Sequence, residues 1–113
     1  MEQNKIDKIN KIISDNKDKL KNLECDGATR VMDYLLTNNK IDHIVMIGEA
    51  SFKDETIFHY WIKIDDMTLD LKSKMWFGNE VEEGLFKKSR VKYKGKPVEL
   101  NTTKLMFDIL TAF

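Results

Sequence analysis

A single cysteine, two histidines and one proline stand in a chain of 113 residues. One cysteine excludes an internal disulfide and fits a cytoplasmic setting, in the producing cell or in a host cell. Neither charge is in excess: 19 Lys+Arg stand against 19 Asp+Glu. Without a basic surplus, the phosphate attraction that drives nucleic-acid binding is missing. No apolar run approaches the roughly 20 residues of a membrane span, and the opening MEQNKIDKIN lacks the apolar stretch of a signal peptide. The five glycines are scattered and build no phosphate-cradling loop. The length suits one small domain, 1–113, and leaves no room for two. Against these absences stands ample core material. Apolar residues make up 42% and charged residues 34%, enough for a core under a solvated surface and against global disorder.

Residues 2–22 read as a polar helix with a thin apolar stripe of Ile6, Ile9, Ile12, Ile13, Leu20 and Leu23, which SDNKD is placed to break or fray. Residues 26–37 read as a second helix, because Ala28, Val31, Met32, Leu35 and Leu36 recur at i, i+3, i+4, i+7 and i+8. The apolar, β-branched run at 43–50 is a central strand. Strands at 56–64 and 67–71 flank Asp65-Asp66. Residues 72–90 look irregular, 90–100 hold one or two short strands around Gly95-Lys96-Pro97, and 102–112 form a closing helix with Leu105, Met106, Ile109 and Leu110 inward. Helices first and an antiparallel sheet afterwards make the class α+β.

The segment HYWIKIDDMTLD, residues 59–70, carries the most chemistry. If Asp65-Asp66 is a two-residue turn, 64 pairs with 67, 62 with 69 and 60 with 71. One face then holds Phe58, Tyr60, Ile62, Ile64, Met67, Leu69 and Leu71 and is the core face. The other holds His59, Trp61, Lys63, Thr68, Asp70 and Lys72. His59 and Asp70 become diagonal neighbours, within side-chain reach, so the carboxylate can fix the ring tautomer and stabilise the imidazolium. Cys25 lies just ahead of the second helix, where unpaired N–H groups and the helix dipole favour a thiolate and can hold an oxyanion. Glu24 and Asp26 oppose the thiolate, so a paired His59 is needed to offset them.

The order Cys25-Asp-Gly-Ala28, then IVMIGE at 44–49, then His59-Tyr-Trp61, then MTLD ending at Asp70 resembles the small transglutaminase-like proteins of the papain-like cysteine superfamily. The resemblance covers about residues 23–71, which would be the catalytic core motif. Residues 1–22 are then an N-terminal helix, and 72–113 supply further strands and the C-terminal helix. It implies Cys25 as nucleophile, His59 as general base and acid, and Asp70 as the orienting carboxylate. Asn22 is a candidate second oxyanion donor, and Trp61 a shield for the His–Asp pair. The chain departs from the pattern at Leu23, where glycine is frequent, and at Leu71, where proline is frequent. The implied activity is acyl-thioester chemistry on an amide or other acyl donor, as in peptidases, deamidases and transglutaminases, with a protein or peptide substrate and no cofactor. The alternative is a non-catalytic binding or inhibitor protein on the same fold, of the kind mobile elements carry. A plain α+β interaction domain is the third reading.

His43 with Cys25, His59 and Asp70 has the donors for zinc, but the spacing matches no familiar metal motif. Trp76 and Phe77 read as a satellite of the core rather than a substrate groove. The stretch FKKSRVKYKGK, residues 86–96, places six positive charges around Tyr93. It reads as a solvated strand edge guarded by lysine, with an acidic or phosphate-bearing partner as the alternative.

Overall fold

A computed structural model of the protein describes residues 1–112; Phe113, the last residue of the expected C-terminal region, lies outside the described residues. Ten elements follow in order: α1 Gln3–Asp15, α2 Lys17–Leu20, α3 Cys25–Asn38, β1 Ile44–Phe52, β2 Glu55–Ile64, β3 Met67–Asp70, α4 Ser73–Phe77, β4 Gly84–Phe86, β5 Lys92–Pro97 and α5 Lys104–Leu110. The strands form one antiparallel sheet in the order β4-β3-β2-β1-β5. The class is α+β, helices first. No helix is long and apolar enough to cross a membrane among the described residues.

The N-terminal helix breaks at Asn16, inside SDNKD. The Asn16 amide donates to the Ile12 carbonyl at 2.8 Å and its backbone N–H to Ile13, which closes α1 instead of extending it. The apolar stripe of α3 packs as its period demands. Ala28, Val31, Met32 and Leu36 are buried against Val45, Ile62, Ile64 and Leu69 of the sheet, with Ile9 and Ile12 of α1 closing the core. Burying Val31, Met32 and Leu36 favours folding by roughly 2 kcal/mol each before ordering entropy is counted. At its far end the Asn39 side chain donates to the Leu35 carbonyl, and Lys40 turns the chain with φ 56°.

The β2–β3 register is the one the two-residue turn demands: Ile64 opposite Met67 and Ile62 opposite Leu69, with Asp65 at φ 54°. The expectation of one core face needs correction. His59, Trp61, Asp70 and Lys72, on the face read as non-core, are all buried, whereas Phe58 on the other is 68% exposed. The cause is the segment after β3. It is not irregular but carries α4 and β4. Val81 and Val91 cover this second face with Ala50, and Phe52, Phe77 and Tyr93 pack around them. Phe77 thus joins a satellite cluster, meeting Phe52 edge-on at 6.0 Å, while Trp76 stays exposed. Of the one or two short strands expected around Gly95-Lys96-Pro97 there is one, β5, which takes in all three residues and ends on the proline, and its place at the sheet edge tolerates that residue. The inward face of α5 is also rotated from expectation. Phe107 stacks on Tyr34 at 4.6 Å, Leu110 packs on the core, and Leu105 and Ile109 are exposed.

Candidate active site

Three elements converge on one buried histidine. β2 carries His59 in the row His59–Gly48–Gly95 across β2, β1 and β5. β3 ends at Asp70 while β2 runs on past it, so His59 lies just beyond the last β2–β3 pair, Ile62 with Leu69. α3 brings Cys25 to that same opening: Cys25 shares a cleft with Ala28, Met32, Leu69, Asp70 and Lys72.

His59 is fully buried, and its Nε2 lies 2.8 Å from Asp70 Oδ2, itself buried. Asp70 is held from every side. Lys72 N–H donates to its Oδ1 at 3.0 Å and the Tyr93 hydroxyl donates to its Oδ2 at 2.8 Å. A carboxylate accepting these bonds accepts from His59 Nε2–H as well. That assigns the tautomer: in the neutral ring Nδ1 carries the lone pair. Nδ1 is buried and has no ordinary hydrogen-bond partner among the described residues. The Cys25 thiol is close enough to act on the ring. Burial of the ring disfavours its cation. The Asp70 hydrogen bond, the Cys25 thiol and the Asp70 charge together outweigh burial and push His59 up to about 9 from an ordinary 6.5.

Tyr93 is the residue that sequence reasoning missed, because it sits inside a lysine-rich run. Its signal was the alternation Lys-Tyr-Lys-Gly-Lys, which puts the aromatic on the face opposite the lysines. Burial and then the negative charge of Asp70 raise its pKa, so it remains a hydroxyl and a donor. Trp61 packs on Tyr93 with ring centroids 5.0 Å apart and is itself buried, so it backs the donor to Asp70. The strands close tightly here. A Cβ on Gly95 would lie 2.8 Å from the Trp61 ring and collide with the Ile47 carbonyl, and one on Gly48 would meet the Lys94 carbonyl.

Cys25 is half-buried at the first position of α3, after Glu24 in extended backbone. The first N–H groups of a helix have no intrahelical carbonyl to bond. That of Gly27 is taken by Asp26 Oδ1 at 2.8 Å, and that of Ala28 by the Glu24 carbonyl. The Cys25 N–H has no such partner among the described residues. Asn22 is not brought into the cleft. It is exposed and lines a separate groove with Leu23, Gly27 and Met106, because the turn at Leu20–Leu23 directs it outward. His43 is also elsewhere. Its Nε2 meets Asp33 at 2.6 Å and its Nδ1 the Ile41 carbonyl at 2.8 Å.

No known protein family, curated protein or solved structure matched this chain.

Proposed function

We propose that the chain is a small cysteine-dependent enzyme working by acyl-thioester chemistry on an amide or another acyl donor, with a papain-like/transglutaminase-like core. What supports this is the buried His59–Asp70 pair at 2.8 Å, with Cys25 at the start of α3 lining a cleft beside the same Asp70 and with His59 Nδ1 left without a hydrogen-bond partner among the described residues. Asp70 keeps the proton on Nε2, so Nδ1 takes the Cys25 proton and leaves a thiolate beside an imidazolium. The thiolate attacks the acyl carbonyl. The oxyanion that forms is met by the N–H at the start of α3, with the helix dipole aligned to it. His59 then returns its proton to the departing nitrogen as the C–N bond breaks, leaving a thioester on Cys25. Water activated by Nδ1 hydrolyses the thioester, or an amine takes the acyl group. In either case Cys25 is released.

A binding or inhibitor protein on the same fold is the second reading. What favours it is the cleft behind Cys25, about 10 Å³, room for little more than one water. The deciding experiment is the pH dependence of Cys25 alkylation by iodoacetamide in the wild type, His59→Ala and His59→Gln. Ready reaction at pH 6 that both substitutions abolish is expected. Reaction only above about pH 8.5, as for a free thiol, with no effect of either substitution, sinks the enzyme reading.

A further inference from the structure

The lysine-rich stretch takes no part in this chemistry, and the fold gives it a shape of its own. β5 turns Lys92, Lys94 and Lys96 to one face and Tyr93 and Gly95 to the other. Across β5, β1 and β2 the rows read Lys96–Ile47–Tyr60, Lys94–Glu49–Phe58 and Lys92–Ser51–Thr56. This face continues the one that the helices bury at Val45 and Ile62, but the helices stop short of it. Phe58 is 68% exposed, and all three lysines are exposed. A shallow depression of about 640 Å³ lies between Ile47, Phe58, Lys94 and Lys96.

Two features coincide on this face, lysines without a carboxylate, as at Lys40, Lys63 and Lys88 elsewhere, and an exposed aromatic ring. Lys5, Lys11, Lys53, Lys87 and Lys104 each hold a carboxylate at 2.7–3.1 Å. Lys92, Lys94 and Lys96 hold none within 4.0 Å among the described residues. Three lysines against one glutamate leave the face positive in a chain of zero net charge. Lysine guarding an edge strand explains charge on β5. It does not explain an exposed phenylalanine on β2, the middle strand of five. An exposed apolar side chain beside three lysines that outnumber the one glutamate among them, Glu49, is the anatomy of a docking patch. Its position also fits. The patch lies on the sheet face that α3, the helix carrying Cys25, packs against, whereas His59 points to the other face, and the cleft behind Cys25 is too small for an acyl donor, which must therefore arrive from solvent.

We propose that this face docks an acidic segment of a protein acyl donor, with one apolar side chain of that segment on Phe58 and Tyr60 and its carboxylates toward Lys94 and Lys96. The proposal rests on the acyl-transfer reading. Its test uses fluorescence anisotropy with the Cys25→Ala chain and three labelled probes: a glutamate-rich peptide with one phenylalanine, its lysine-rich counterpart, and a single-stranded oligonucleotide matched in charge to the first. The glutamate-rich peptide is expected to bind and the other two not. Lys94→Glu with Lys96→Glu should weaken it by about tenfold, less at high salt, and Phe58→Ala by a similar factor. On the wild type the same peptide should slow Cys25 alkylation. Absence of binding, indifference to these substitutions, tighter binding of the oligonucleotide, or binding that leaves alkylation unslowed would each overturn the proposal. If Cys25 reacts as a free thiol, the acyl-transfer reading has failed and the proposal falls with it. If Cys25 behaves as a paired thiolate and the peptide does not bind, the docking proposal falls alone.

Discussion

Replacing Asp70 by Asn tests the site through folding rather than through turnover. Asp70 accepts from His59, Tyr93 and Lys72 through two oxygens; an asparagine has one. If that oxygen stays on Lys72 N–H, the Asn amide faces the ring, and His59 must move its proton to Nδ1 to accept it. With the carboxylate charge gone, burial, which opposes the cation, is left to govern His59. In the wild type the pKa is raised from 6.5 to about 9, so the folded state holds the proton more tightly than the unfolded chain. That contribution is fully present below pH 6.5 and is lost as pH rises to about 9. The interval is worth on the order of 3 kcal/mol at 1.36 kcal/mol per pH unit. Urea unfolding of both proteins from pH 6 to pH 10 measures it. Wild-type stability relative to Asp70→Asn should fall by up to about 1.4 kcal/mol per pH unit between 6.5 and 9. His43 and other groups remote from the site cancel in the difference, whereas Cys25 and Tyr93, coupled to the pair, contribute to it. Above pH 9 only the hydrogen-bond penalty of the substitution should remain, about 1–3 kcal/mol. Parallel curves across the whole range would refute the assignment of a proton shared between His59 and Asp70.

Tyr93→Phe keeps the packing on Trp61 but removes a donor from Asp70 Oδ2. It should cost about 1–2 kcal/mol in urea unfolding and, by leaving Asp70 a stronger partner for His59, extend Cys25 reactivity to lower pH. Gly95→Ala should lower the thermal midpoint through a loss of about 1–3 kcal/mol or more, because its Cβ collides with the Ile47 carbonyl and the Trp61 ring. Asp33→Asn acts on the second pair. The Asp33 hydrogen bond holds the His43 pKa up against burial, so its contribution is present below pH 6.5 and fades above the raised value. The substitution should therefore destabilise more at pH 6 than at pH 9, and equal losses at the two would count against it.

The hairpin was legible because one assumption, a two-residue turn, decides the parity of every side chain on both strands. Ile62 opposite Leu69 and the His59–Asp70 diagonal both follow from it. The helix of Ala28, Val31, Met32 and Leu36 was legible for the same reason at another period. What escaped was set by long-range contact. Nothing local in residues 73–91 announces that Val81 and Val91 return over the hairpin, so the face of His59 and Asp70 read as solvent-facing. Asn22 was chosen for its nearness in sequence to Cys25, which a turn in the chain undoes. The phase of α5 is set by Phe107 meeting Tyr34, and a short amphipathic stretch cannot declare that contact.

The four members of the site are unequally tied to the fold, and this has an evolutionary consequence. His59, Asp70 and Tyr93 are bound into one hydrogen-bonded cluster under the sheet, beside two glycines that admit no side chain. Cys25 is small, half-buried and at the first position of a helix whose own core begins one turn later. A drifting lineage can exchange the thiol for serine or alanine at little structural cost, but not the rest. On the proposed reading, descendants that abandon the chemistry should therefore lose the cysteine first and keep the histidine, the aspartate and the tyrosine.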